Sequence, residues 1–214
     1  MHESQRWLAA AALCALIANN SPAVAQDQDD TDPGAYILQA EMARQREDYR
    51  EAAEEYRKAA ELSDSPDVAR QAAIMGMTYG FDREALAAAR RWHKLDRKST
   101  DARITLAQLS FVTGDIRAAR RHFTHILEQG VEPSGEKIVA LFRYLSERGD
   151  IEKADSLMRS LARPYADSSL SHYEVATLAL RAGDTEYALQ RADREIELNP
   201  DGLKPKLLYA RILL

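Results

Sequence analysis

GFDREA at residues 80–85, GDIRAA at 114–119, GDIEKA at 149–154 and GDTEYA at 183–188 are one motif written four times. A glycine is followed one or two residues later by aspartate and five residues later by alanine, and the starts lie 34, 35 and 34 residues apart. Self-similarity at that period is the signature of stacked helical hairpins, in which each repeat buries its apolar face only against its neighbours. The motif itself reads as a helix turning back on itself. Glycine enters the left-handed conformation that ends a helix without a Cβ penalty, and aspartate accepts from the free N–H groups that open the next one. Each glycine is therefore expected to close a helix and each aspartate to start another. Asp115, Asp150 and Asp184 follow their glycines directly, whereas Asp82 comes one residue later, after Phe81. An earlier copy, QREDYREA at 45–52, has Glu47 where the glycine belongs.

Small residues mark where the two helices of each hairpin should touch. Ala52, Ala85, Ala119, Ala154 and Ala188 recur in the second helices, and Ala40, Ala73, Ala107, Phe142, Ala176 and Ala210 in the first. Alanine opposite alanine lets two axes approach at the short end of roughly 8–10 Å. Phe142 breaks the series and is expected to push the fourth hairpin apart or to meet a smaller partner. One turn beyond the second-helix alanines stand Tyr56, Ala89, Phe123, Met158 and Ala192, on the same expected buried stripe. Prolines at Pro33, Pro66, Pro133 and Pro200 fall near hairpin boundaries, where a helix must stop.

These residues resemble the tetratricopeptide repeat family over residues 33–214. Glu47, Phe142, Trp92 in the second repeat and a missing proline between the second and third repeats are departures from its pattern. The resemblance implies an all-α, right-handed superhelical solenoid of antiparallel hairpins, with five complete repeats and the first helix of a sixth. In that family the first helices line a concave groove. By register, the implied partner-binding groove here comprises Arg70, Ile74 and Met77, then Ile104, Gln108, Phe111 and Val112, then Val139 and Arg143, then Tyr173. Its apolar centre is expected to hold a hydrophobic or amphipathic peptide, with Phe111 as anchor and Arg70 and Arg143 pairing with acids on it. Family members that clamp a free carboxylate use groove lysines and asparagines. Ile37, Glu41, Arg70, Ile74, Ile104 and Gln108 stand in those places, so that clamp is missing.

Composition excludes several function classes. The chain is 45% hydrophobic and 29% charged, with a formal net charge of -5, which leaves no electrostatic footprint for nucleic acid. Its basic residues are interleaved with acids, as in the run REDYREAAEEYRKAAE, and read as solvated helix faces. Catalytic motifs are absent: there is no GxSxG elbow, no phosphate-cradling glycine loop and no HExxH helix. His122 and His125 are three apart and could share a metal, but no third ligand at a recognisable spacing completes a site, and they read as surface residues flanking a buried Phe123. No enzyme activity, cofactor or metal is expected.

The amino terminus differs in kind. Arg6 precedes an apolar run over residues 7–18, followed by Asn19, Asn20, Ser21 and Pro22 and by the small triplet Ala23, Val24, Ala25. The run is too short to span a bilayer and reads as a signal peptide cleaved after Ala25. Cys14, the single cysteine, invites a lipoprotein reading, but Leu13 before it is too large for that box. Residues 26–32, QDQDDTD, read as a disordered acidic lead-in.

At the other end, GLKPKLLYARILL at 202–214 reads as a first helix without its second. It is expected to continue into a longer repeat protein, or to be covered by another chain through self-association. The sequence as a whole points to a non-catalytic protein- or peptide-binding scaffold, periplasmic or secreted, with no stable transmembrane segment after cleavage. The competing reading is a regulatory or substrate-presenting subunit of an envelope enzyme, such as one acting on peptidoglycan.

Overall fold

In the computed structural model, which describes residues 32–129 and 135–214, the alanines of the two series are fully buried in the five hairpins, whereas Ala210 of the last helix is exposed. Ala52, Ala85, Ala119, Ala154 and Ala188 are all 0% exposed, as are Ala40, Ala73, Ala107 and Ala176. Around them the chain forms five antiparallel hairpins and the first helix of a sixth: α1 (Pro33–Gln45) with α2 (Tyr49–Leu62), α3 (Pro66–Tyr79) with α4 (Asp82–Leu95), and α5 (Thr100–Val112) with α6 (Ile116–Glu128). α7 (Gly135–Arg148) with α8 (Ile151–Ala162), α9 (Ser169–Arg181) with α10 (Thr185–Leu198), and α11 (Leu203–Leu213) complete it. Residues Pro33–Leu214 make one compact unit, and no strand occurs among the described residues. This is the tetratricopeptide-like helical solenoid that the repeat implies.

The turns follow the expected chemistry with three informative departures. Asp48, Asp115, Asp150 and Asp184 each accept from backbone N–H groups at the start of α2, α6, α8 and α10. Asp82 does not. It is the first residue of α4, whose cap position is Phe81 with no side-chain hydrogen bond, so its carboxylate serves only the positive end of the helix dipole. Gly80, Gly114 and Gly183 take the left-handed φ values of 78°, 88° and 85° that only glycine reaches without strain. Glu47 takes the same conformation with φ 61°, so the first turn keeps its geometry without glycine. Gly149 is the opposite case: it is not among the positive-φ residues, and it is needed for space, because a Cβ there would lie 2.4 Å from Cε1 of Phe111.

Other boundary residues do their expected work by different means. Pro66 opens α3 at a position that needs no N–H. Between the second and third repeats, where no proline stands, Ser99 caps α5 by accepting from the N–H of Ala102. Pro133 lies outside the described residues.

Buried side chains run along the stack in three clusters. The first joins Tyr56, Met75, Leu86, Trp92, Leu106 and Leu109 with the alanines of the first two hairpins, so Trp92 is absorbed at 7% exposure. Gly76 makes the closest helix approach there, since a Cβ on it would stand 2.8 Å from Cβ of Ala85. The second cluster spans α5 to α9 around Phe111, Phe123, Leu145, Leu157 and Met158. Half-buried Phe142 packs on it, and among the described residues α7 and α8 pack least closely of the five hairpins. A ring where the other hairpins carry alanine explains that. The third cluster seats Leu208 and Ile212 of α11 on Ala176, Ala179, Ala188 and Ala192. Leu208 and Ile212 of this unpaired helix therefore have partners in the preceding hairpin, while Leu207, Leu213 and Leu214 stay exposed.

Candidate functional site

The ten groove residues divide into an exposed strip, two clefts and a buried ring. On α3, Arg70 is exposed and holds Asp67 at 3.1 Å, and Ile74 one turn on is 49% exposed. Met77 is half-buried against the first cluster. On the adjoining α1, Glu41 is not available as a free acid: it accepts from Tyr56 Oη and pairs with Arg44 at 2.7 Å, and Tyr56 in turn accepts from Gln71 at 2.7 Å. Hydrogen bonds from Tyr56 and Arg44 hold the Glu41 carboxyl below its ordinary range, and burial with that carboxylate alongside pushes Tyr56 up to about 12.

Ile104 and Gln108 line an apolar cleft of 190 Å³ between α5, α6 and α7. Its far wall is Tyr144, which the sequence reading passed over. Tyr144 donates its hydroxyl hydrogen bond to the carbonyl of Gln108 at 3.1 Å and sets its ring edge-on to Phe111 with centroids 6.4 Å apart. Burial pushes its phenol up to about 12. The signal available in the sequence was its place two residues after Phe142, on a helix already carrying one ring too many.

Phe111 does not belong to the groove surface. It is 3% exposed, in the second cluster, covered by Tyr144 and Gly149. A first-helix position four residues past the alanine of its series points into the junction with the next repeat, and there it works as core. Val112 beside it is half-buried against the same cluster.

Val139 and Tyr173 line a second pocket of 390 Å³, bounded by α7, α9, the end of α10 and the start of α11. Leu170, 49% exposed, sits at its edge, and Arg143 is exposed one turn beyond Val139. Glu174 and Glu195 also line it. Neither was singled out from sequence, although a carboxylate in the middle of the apolar stretch LSHYEVATLAL was a legible anomaly.

The opposite, second-helix side carries a cavity of 860 Å³ between α8 and α10. Its chemistry is largely internal. Arg159 bridges Asp155 at 2.6 Å and Asp184 at 2.8 Å and lies 3.8 Å from the centroid of the Tyr187 ring, so it ties the cap of α10 to α8. The histidines do not converge. His122 packs edge-on against His93 of α4 with centroids 6.0 Å apart, whereas His125 Nε2 lies 2.7 Å from Gln129 Nε2. No group of three or more metal-ligating side chains that could hold an ion occurs among the described residues.

No family model matches the sequence, and no curated protein matches it. Solved structures do. Naa15/Naa10 bound to HypK-THB is 16% identical with a TM-score of 0.53, covering 86% of this chain and 29% of that one. YrrB, described as a TPR protein with an unusual peptide-binding site, is 18% identical with a TM-score of 0.43, covering 86% and 94%. MamA from Desulfovibrio magneticus RS-1 is 14% identical with a TM-score of 0.43, covering 80% and 97%. At these identities the likeness is one of fold.

Proposed function

We propose that this chain is a non-catalytic scaffold that binds a protein or peptide partner along its first helices. The observation that carries this reading is apolar surface left open on successive first helices: Ile74 of α3 is 49% exposed, the cleft at Ile104 follows on α5, and the pocket of Val139 and Tyr173 on α7 and α9 has Leu170, also 49% exposed, in its lining. An extended or helical peptide buries such positions at the spacing of the repeats. The second-helix side offers charge that is already paired within the protein, at Arg159. Selection of peptides from a displayed random library on the full chain tests the reading. Enriched peptides should bind the wild type and lose at least tenfold in affinity on Ile74→Asp or Val139→Asp, each of which places a charge in the apolar strip. Enrichment of peptides indifferent to both variants would contradict it.

The scaffold is further proposed to work in the cell envelope, after export and cleavage behind Ala25. The support is the order of charge, apolar run and small triplet over residues 1–25, which lie outside the described residues, as do residues 26–31 of the lead-in and Cys14. No helix among the described residues is long and apolar enough to cross a membrane. Amino-terminal sequencing of the mature protein is expected to begin at Gln26, and retention of Met1 would refute export.

A further inference from the structure

The pocket at Val139 and Tyr173 holds two carboxyl groups that the rest of the protein leaves incomplete. Glu174 is 6% exposed and Glu195 is 3% exposed. Ser169 Oγ donates to Oε1 of Glu195 at 2.9 Å, but Oε2 of each glutamate is buried with no hydrogen-bond partner. The other buried acids among the described residues also keep one buried oxygen without a hydrogen-bond partner, but each has a cation: Arg159 reaches Asp155 at 2.6 Å and Lys58 reaches Glu55 at 2.7 Å. Glu174 and Glu195 have no salt bridge among the described residues, although the Asn199 side chain lies near enough to Glu195 to lower it. Lys204 of α11 lines the pocket and is exposed; its charge draws the Glu174 carboxyl down somewhat, but among the described residues no salt bridge joins it to either glutamate. Burying an acceptor without a donor is unfavourable, and burying a carboxylate without a counter-charge is more so. Burial accordingly pushes the Glu174 carboxyl up to about 7 and Glu195 above its ordinary range.

We infer that this pocket receives a lysine side chain of the bound partner, its methylene stem against Val139, Leu170 and Tyr173 and its ammonium between the free Oε2 atoms of Glu174 and Glu195. The inference rests on the first-helix binding reading and specifies the partner chemistry at its carboxy-terminal end. An ammonium suits the Glu195 end of the pocket: Oε1 of Glu195 is engaged by Ser169, and the one oxygen left, Oε2, is met by the point charge of an ammonium rather than by both arms of a guanidinium fork. The stem is equally important, because a pocket with a mainly apolar wall of 390 Å³ gives a small inorganic cation nothing to displace water with.

The test is calorimetric, on the full chain, with the pentapeptide Ac-Ala-Leu-Lys-Leu-Ala-NH2 and its isosteric norleucine counterpart. At pH 8 the lysine peptide should bind at least tenfold tighter than the norleucine peptide. Glu174→Gln should reduce that preference to under twofold while the variant stays folded, since glutamine keeps the shape and removes the charge. Glu195→Gln is the second variant, for the case that the first does not fold. The lysine preference should also shrink at pH 5.5, where Glu174 holds its proton. Glu195 on α10, Lys204 on α11 and Tyr173 on its own helix are the other titratable groups sharing the pocket. Equal affinity for the two peptides, abolished by Val139→Asp, would overturn the lysine inference and leave the groove reading standing. Binding of neither peptide would overturn it as well, with the groove reading then resting on the Ile74 variant alone.

Discussion

The edge of the Phe111 ring lies against Gly149 so closely that a Cβ on Gly149 would stand 2.4 Å from its Cε1 and 2.5 Å from its Cζ. The contact locks the first helix of the third hairpin to the turn of the fourth. One residue of the glycine motif is thus set by packing with a neighbouring repeat rather than by the turn it belongs to.

Gly149→Ala is therefore expected to destabilise the fold by about 1–3 kcal/mol, the usual range for overpacking a filled site. Phe111→Ala should cost about 3–5 kcal/mol as a buried ring. Combining them should cost clearly less than the sum, because the ring that the new methyl strikes is gone. Chemical denaturation of the four proteins measures this, and strict additivity would show that the two residues do not share a contact.

Glu47 offers the reverse experiment. It is exposed, non-glycine and held at φ 61°. Left-handed backbone costs an ordinary residue roughly 1–2 kcal/mol, and glycine gives part of that back as unfolded-state entropy. Glu47→Gly should raise stability by about 0.5–1 kcal/mol, read as a higher denaturation midpoint. A lower midpoint would mean that the side chain holds the turn.

The aspartates at the hairpin turns should separate in the same assay. Removing a side chain that caps a helix costs about 1 kcal/mol, so Asp115→Ala and Asp150→Ala should each lose that amount. Asp82→Ala should lose only a few tenths, the dipole contribution of an exposed first-turn acid. Equal losses at all three positions would contradict the assignment of Phe81 as the cap of α4.

The part of the stability that comes from Glu174 should fall as the solution is made alkaline through neutrality. Glu174 binds its proton up to about 7 in the folded chain against an ordinary 4.5, so the folded state holds more protons than the unfolded one between these values. The stabilisation is complete below pH 4.5 and is lost as pH rises through 7, by about 3 kcal/mol at most. Glu41, Asp150 and Asp184 are shifted the other way and contribute on the acid side of that window, and Glu195 is shifted the same way. His93, His122 and His172, held below their ordinary range chiefly by burial, add stability as pH rises towards 6.5. Between pH 5 and 8 the stability of Glu174→Gln should rise relative to that of the wild type, and a difference that does not change with pH would show that Glu174 carries no such titration.

Periodicity made the fold legible, because a repeat presents the same evidence several times. Ala119 alone means little, but Ala52, Ala85, Ala119, Ala154 and Ala188 in register define a helix contact. The site was less legible because exposure in a solenoid depends on the adjacent repeat as well as on register. Ile74 and Phe111 both lie on first helices among apolar neighbours. One is half exposed and the other is core, since Tyr144 and Gly149 of the next hairpin close over Phe111. Glu195 looks like an ordinary helix-surface acid until α9, α10 and α11 converge on it, whereas Glu174 stands out in its apolar stretch but gains meaning only from the pocket those helices form.

Hydrogen exchange of the full chain, with and without a saturating library-selected peptide, tests the central claim most directly. Binding along the first helices should slow exchange in α3, α5, α7 and α9, with the largest changes around Ile74, Gln108, Val139 and Tyr173. Protection confined to α4, α6, α8 and α10 would place the partner on the second-helix side and contradict the account.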